Sequence, residues 1–338
     1  MPKVTVFLTS FNHSKYIREA IESALNQSFT DFELIIWDDA STDESWSIIN
    51  EYDDPRICAF RNEENTLGTV GFDQMLAGIA KGEYIARMDA DDVSLPERLK
   101  KQVAFIDAHP DVVICGTWVE TFGTKSVTLW HPPVEDAKIR GEHIFHSDIC
   151  HPAAIFRKAL FDENKLSFDE NMFPAEDYDL WVKASKFMRL ANIPERLLLY
   201  RMHGENVGYI FAAEQHRTAQ LIRIKQIMEL GIELSKEEAE IHSKISLYKF
   251  EKSENFVKQS EQWFLKLQRA NSRRSLFPEP DFSEVLAAKW FKLCYAVPNL
   301  GFWTFKTFWR SPLRCHIQLP WKTQKKFLIR CVLKYNAL

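Results

Sequence analysis

The sequence predicts an α/β fold, a mostly parallel sheet with helices on both faces, followed by an α-helical C-terminal extension. Three observations carry this prediction. Short runs of β-branched and aromatic residues alternate with helical patterns; the runs are apolar on both sides; and polar clusters fall at their carboxyl ends, where open α/β sheets bind ligands.

Val4 to Leu8 reads as the first strand, and Ser14 then precedes Tyr16, Ile17, Ala20, Ile21, Ala24 and Leu25 at helical spacing. Phe32 to Trp37 is a near-continuous apolar strand, and Asp43 is placed to cap a helix around Trp46 to Ile49. Arg56 to Phe60 and Tyr84 to Met88 read as the third and fourth strands. Pro96 suits a helix N1 position and opens a helix to about Ala108. Strands follow near Val112 to Cys115 and Ala153 to Phe156, then a helix from Glu176 to Phe187. Residues 210–275 are helical, with Leu221, Ile224, Ile227 and Met228 on one face. The organisation expected is a catalytic domain over residues 1–205 and a helical extension over residues 206–338.

With 338 residues, 46% apolar and 13% aromatic, the chain can bury one sizeable core and a second, smaller one. The net charge of -4 hides an asymmetry. No Asp or Glu follows Glu284, so residues 1–288 carry -14 (33 basic against 47 acidic) while residues 289–338 carry +10, with eleven aromatic residues between Trp290 and Tyr335. Such a tail suits an anionic membrane surface, and Trp303, Phe305, Phe308 and Trp309 interleaved with Lys306 and Arg310 point to a lipid interface. The plainer reading is a small helical domain whose aromatics form a core. The acidic remainder and the lack of a nucleic-acid module argue against nucleic acid. Lys292, Pro298, Asn299, Gly301 and Lys306 interrupt the most apolar stretch, which leaves no span-length run. The N-terminus has no signal-peptide pattern, and the six cysteines have no paired spacing that would indicate zinc or a disulfide framework. The expected location is cytoplasmic, peripheral on the inner face of the membrane.

Asp89 and Asp91 flank Ala90 at the end of an apolar strand, and Asp92 adds a third carboxylate. Crowded carboxylates favour a counter-ion, and hard oxygen ligands in an open turn suit Mg2+ or Mn2+ with substrate phosphates as further ligands. An exposed acidic turn is the bland alternative. Asp38 and Asp39 end another strand, where one can accept a hydrogen bond from a nucleobase or ribose while the other anchors the loop. Glu176, Asp177 and Asp179 open an amphipathic helix, where the helix dipole stabilises a carboxylate. His151 and His203 are further polar candidates, although a lone histidine is more often structural.

At these residues the chain resembles the GT-A-fold glycosyltransferases of family 2, over roughly residues 3 to 205. The agreeing pieces are VTVFLTSFNHSKYIREAIESALNQSFTDFELIIWDDASTDES, KGEYIARMDADDVSLPERL, HPAAIFRK, AEDYDLW and LLLYRMH, in that order, and the first is similar to enzymes of the SpsA type. The resemblance implies the GT-A nucleotide-diphospho-sugar transferase fold. It also implies an inverting transferase that uses a nucleotide-sugar donor, a UDP-sugar, and a glycan or lipid-linked acceptor in surface polysaccharide biosynthesis. Thr9, Phe11 and Asn12 would border the base, and Asp39 would accept from a uracil or thymine N3–H. Asp91 would be the direct metal ligand for Mn2+ or Mg2+, with Asp89 beside ribose or metal waters and Ala90 between them. Asp177 would be the general base. His203 would reach the metal or diphosphate, and His151 and Glu176 would lie on the acceptor side. Two rivals remain on the residues alone. One is a nucleotidyltransferase, which would normally carry a glycine-rich basic loop where Thr9 to Ser14 has no glycine; the other is a non-catalytic nucleotide-binding module acting through its basic tail.

Overall fold

The computed structural model describes residues 1–67 and 69–334. Among the described residues, nine strands form one sheet: β1 (Val4–Ser10), β2 (Phe32–Asp38), β3 (Ile57–Arg61), β4 (Tyr84–Asp89), β5 (Val93–Ser94), β6 (Val112–Phe122), β7 (Leu129–Trp130), β8 (Ile155–Arg157) and β9 (Arg189–Arg201). Their order is β3-β2-β1-β4-β8-β6-β9-β5, with β7 added beside β6. The sheet is mixed: β3, β2, β1 and β4 are parallel neighbours, as are β6 and β9, whereas β8 runs antiparallel to both β4 and β6.

Alternation along the strands builds two apolar layers. Val4, Val6, Leu8, Leu34, Ile36, Ala86 and Met88 pack against Ile17, Ala20, Ile21 and Ala24 of one helix and Leu99, Val103 and Ile106 of another. Phe7, Ile35, Trp37 and Ile85 face the other way, onto Phe72, Met75, Phe161, Leu180 and Trp181. The register places Thr9 opposite both Trp37 and Asp89, and Ser10 opposite Asp38, so the polar ends of β1, β2 and β4 share one edge of the sheet.

Several local expectations shift. Pro96 does not stand at N1; the helix runs Arg98–Ala108, and the Leu95 carbonyl instead accepts the Arg98 N–H in a tight turn. Asp43 stands one residue before the N-cap position, which is Glu44, and still accepts the Ser45 N–H at 2.9 Å and the Ser14 N–H at 2.9 Å. Ala153 belongs to a 3₁₀ turn, His151–Ala153, ahead of β8. The helix opening at Glu176 ends at Ala184, which leaves Phe187 exposed.

The chain divides into two compact units, residues 1–139 with 147–219, and residues 140–146 with 220–338. Residues 206–219 are tied to the first unit, where Gln215 donates to the Pro174 carbonyl and Thr218 to that of Phe173. The second unit is helical: Lys236–Ser246, Glu254–Arg274, Asp281–Ala296, Phe302–Arg310 and Trp321–Leu333 follow one another. Much of the tail's aromatic content is core. Trp290, Phe308 and Phe327 are fully buried, and Trp303, Phe305 and Trp309 are half-buried against them. Of the four aromatics expected at a lipid interface, Phe308 is therefore excluded by burial. Tyr335 lies outside the described residues. No helix among the described residues is long and apolar enough to cross a membrane, and all six cysteines are free.

A buried polar joint fixes the helix Arg98–Ala108 to the sheet. Gln102, fully buried, donates to the Cys115 and Ala153 carbonyls at 3.1 and 2.8 Å and accepts from Arg98 Nε at 3.0 Å. Gln102→Leu leaves two buried carbonyls and part of a guanidinium unsatisfied, which costs about 1–3 kcal/mol. Urea unfolding is expected to show a lower midpoint with an unchanged slope, and an unchanged midpoint would contradict this account.

Candidate active site

Three strand ends converge at the shared edge. The loop after β1 reverses at Asn12, whose φ of 56° is a left-handed conformation that a short amide side chain tolerates. The Asn12 Oδ1 accepts the Thr42 N–H at 2.8 Å, and its N–H reaches Ser41 Oγ at 2.9 Å, which ties this loop to the one after β2. Phe11 stands exposed on the loop. Asp38 is the loop anchor: it accepts the Ser41 N–H at 3.1 Å and lies 3.2 Å from Arg61 Nε. Burial pushes its carboxyl above the ordinary range, against the pull of Ser41 and Arg61. Asp39 is buried and accepts from Asn62 Nδ2 at 2.6 Å, Thr66 Oγ1 at 2.8 Å and the Thr66 N–H at 3.0 Å.

The end of β4 separates its carboxylates by environment. Asp89 faces Arg87 at 3.1 Å and Thr9 Oγ1 at 3.4 Å. The Ala90 methyl is fully buried and its N–H is spent on the Thr9 carbonyl, so this residue sets the spacing between the aspartates. Asp91 Oδ2 accepts from His203 Nε2 at 2.8 Å and Asn206 Nδ2 at 3.2 Å, with His13 Nε2 3.9 Å away. Asp92 turns inward and accepts the Arg201 N–H at 2.8 Å. Burial, then the neighbouring charges of Asp91 and Asp89, drive its carboxyl well above the usual range. Arg201 braces the turn, donating to the Asp91 carbonyl at 2.6 Å and stacking on Tyr16 and Phe122.

One carboxylate and two imidazoles thus meet, His13, Asp91 and His203, their ligand atoms within 4.8 Å of one another. A carboxylate with imidazoles is a donor set for Mn2+ more than for Mg2+, which prefers oxygen alone.

Arg87 joins this centre to a second pair of carboxylates. Its guanidinium donates to His151 Nε2 at 2.9 Å, to Thr9 Oγ1 and Asp89 Oδ1 at 3.1 Å, and to the Phe7 carbonyl at 3.2 Å. Burial lowers its pKa, and the charges of Asp89, Glu176 and Asp177 oppose that shift. Burial and the facing Arg87 charge depress His151 to about 3, so this histidine is a neutral acceptor and not a base. Asp177, at the start of the helix Glu176–Ala184, is pushed up to about 6 by burial and by the Asp89 charge, against its hydrogen bond from the Tyr178 N–H. Glu176 is pushed up to about 8 by burial and by Asp177, and its Oε2 has no hydrogen-bond partner among the described residues.

The structure brings Thr9, Phe11, Asn12, Asp39, Asp89, Asp91 and His203 to one edge, and places His151, Glu176 and Asp177 around Arg87. Sequence reasoning missed Arg87, His13, Arg201 and Asn206. A signal existed for Arg87, a lone charge inside the apolar run Tyr84 to Met88, and for His13, in the polar loop after the first strand. Arg201 lies within the LLLYRMH piece, but no local pattern ties it to the aspartates, and Asn206 carried no signal, because long-range folding alone brings them to Asp91 and Asp92.

Comparison with known proteins identifies the family. The model of glycosyl transferase family 2 matches residues 5–164. An uncharacterized glycosyltransferase of Haemophilus influenzae is 31% identical over 249 residues, 69% of this chain and 77% of that protein. The Escherichia coli UDP-Glc:alpha-D-GlcNAc-diphosphoundecaprenol beta-1,3-glucosyltransferase WfaP is 36% identical over 109 residues, 32% of this chain and 43% of that protein. Among solved structures, residues 1–349 of Staphylococcus aureus TarS in complex with UDP-GlcNAc match with a TM-score of 0.56 at 20% identity, covering 97% of this chain and 91% of that one, a likeness of fold. With that fold, these five ordered motifs and a relative matched over most of its length, the chain belongs to glycosyl transferase family 2.

Proposed function

We propose that the protein is an inverting, metal-dependent transferase that moves a sugar from a UDP-sugar to a hydroxyl of a glycan or lipid-linked acceptor in surface polysaccharide biosynthesis, in the cytoplasm at the inner face of the membrane. One observation carries the reading: an acidic, imidazole-lined centre at the end of β4 faces, across Arg87, a half-buried carboxylate whose pKa is raised to about 6. WfaP is named for a UDP-glucose donor and a diphosphoundecaprenol acceptor, and the TarS fragment is described with UDP-GlcNAc, which supports a UDP-sugar and a lipid-linked or polymeric acceptor here.

Asp91 with Asp89 and His203 would hold Mn2+ or Mg2+, the imidazole favouring Mn2+. When bound, the ion acts as a Lewis acid on the charge that develops as a sugar–diphosphate bond breaks. Thr9, Phe11 and Asn12 border the base, and Asp39, whose carboxylate is oriented by Asn62 and Thr66, accepts its imide N–H. Asp177 takes the proton of the acceptor hydroxyl. The acceptor oxygen then bonds to the anomeric carbon from the face opposite the diphosphate, and the electron pair of the broken C–O bond leaves with the diphosphate. Attack from the opposite face inverts the configuration. Glu176 holds its proton at neutral pH and serves the acceptor side as a donor, while His151, neutral, keeps Arg87 in place.

Asp91→Asn is expected to abolish the metal-dependent part of UDP binding while leaving the fold intact. Calorimetry decides: equal affinity with EDTA and with Mn2+, in wild type and variant alike, would remove the metal from the account.

Asp177→Asn is expected to lower turnover by roughly 10²-fold or more, the scale of general base catalysis, with donor affinity nearly unchanged. Because the folded-state pKa of Asp177 is raised to about 6, the base form is present above that pH. Wild-type kcat/KM should accordingly rise through about pH 6, and the variant should lose that limb. Full turnover in the variant would transfer the role to another carboxylate.

A further inference from the structure

The core of the second unit takes some of the tail's apolar side chains and leaves others in solvent. Phe302 is 45% exposed, Trp321 66%, Ile329 46%, Val332 61% and Leu333 69%, values that normal surface scatter does not concentrate on one short segment. The helix Trp321–Leu333 buries only Phe327 and Cys331, one turn apart on a single side. At roughly 100° per residue, Trp321, Val332, Lys325, Ile329, Lys322, Leu333 and Lys326 fall in that order within an arc of about 140° opposite the buried side. Apolar tips and lysines therefore alternate across the same exposed face. Phe302 adjoins its C-terminal end, because a Cβ placed on Gly301 would stand 3.2 Å from the Lys334 side chain and 3.9 Å from the Cys331 carbonyl. Lys306 Nζ lies 5.1 Å from the Phe302 ring centre.

We propose that this face, the exposed side of Trp321–Leu333 together with Phe302 and Lys306, is a docking surface for an anionic lipid bilayer. Charge complementarity selects the occupant. Residues 289–338 contain ten basic residues and no acidic one, so the face carries nothing that would repel lipid phosphates. Matching two such faces between copies of the chain would set lysine against lysine. Lysine stems lie along apolar surface while their ammonium groups reach the headgroups, and tryptophan is favoured at that depth, so the mixture suits a helix lying in the interface plane. Adsorption rests on the proposed membrane location alone and requires neither donor nor metal.

The test is co-sedimentation of the full-length chain, without nucleotide, with vesicles of phosphatidylcholine and phosphatidylglycerol in equal parts, and with phosphatidylcholine alone. Binding to the anionic vesicles in low salt, weak binding to the neutral ones and release by added salt are expected. Trp321→Ser with Ile329→Ser, Val332→Ser and Leu333→Ser, and separately Lys322→Glu with Lys325→Glu and Lys326→Glu, should each lower the bound fraction by about tenfold or more. Both variants alter exposed positions, so the thermal midpoint and Mn2+-dependent UDP affinity should stay at wild-type values; UDP binding also reports the donor site separately. Wild-type protein left in the supernatant with anionic vesicles overturns the proposal, as does an unchanged bound fraction in either variant. A wild-type dimer in sedimentation equilibrium that these substitutions dissociate, without vesicle binding, would assign the face to a second copy.

Discussion

A guanidinium buried at the end of a strand must be surrounded by acceptors, and that requirement at Arg87 organises the first unit's polar edge. Arg87 is 3% exposed, and an unpaired charge at that depth would cost several kcal/mol. Its partners come from separate parts of the chain: the Phe7 carbonyl and Thr9 hydroxyl of β1, Asp89 at the end of its own strand, and His151 in the turn before β8. Glu176 and Asp177 add opposing charge from the start of a helix. A second buried guanidinium stands behind it: Arg98 donates to the Arg87 carbonyl at 2.7 Å, and its own pKa is lowered to about 10 by burial. Satisfying these two charges fixes where the first loop, the aspartate turn and the carboxylate helix meet.

The same packing differentiates acids that are adjacent in sequence. Asp89 is tied to Arg87, Asp91 faces two imidazoles, and Asp92 is turned into the interior, where burial raises its pKa. Three neighbouring carboxylates thus acquire three environments, and Asp91 is the one grouped with the imidazoles of His13 and His203. Across Arg87 the pair Glu176 and Asp177 is split in the same manner, to about 8 and about 6, which separates a proton holder from a proton acceptor at neutral pH.

Much of this edge was legible in the sequence, because a parallel strand buried on both faces announces itself as a near-continuous apolar run and its polar end marks the ligand edge. Val4 to Leu8, Phe32 to Trp37 and Tyr84 to Met88 are such runs, and each lies within an observed strand. The rest of the sheet was less legible. The sequence predicts a strand near Ala153 to Phe156, but the antiparallel pairing of Ile155–Arg157 with β6, and the parallel pairing with β6 of the long strand Arg189–Arg201, interrupted by Pro194 and charged residues, are encoded by no local pattern. The aspartates showed themselves by clustering, whereas Asn206 and Arg201 reach them only through the return of β9. In the tail, charge and aromatic content were plain, but which rings turn inward depended on tertiary packing: Phe308 is buried, and Trp321 is not.

The most direct measurement is the Mn2+-dependent affinity for UDP of Arg87→Lys, which keeps the positive charge but loses the planar fork that serves four acceptors at once. If Arg87 positions both Asp89 and the loop after β1, this variant should bind UDP with Mn2+ at least about tenfold more weakly while remaining folded, the cost of one charge-assisted hydrogen bond being about 1.5–3 kcal/mol. Wild-type affinity in a folded Arg87→Lys protein would contradict the claim that the buried guanidinium holds the site together.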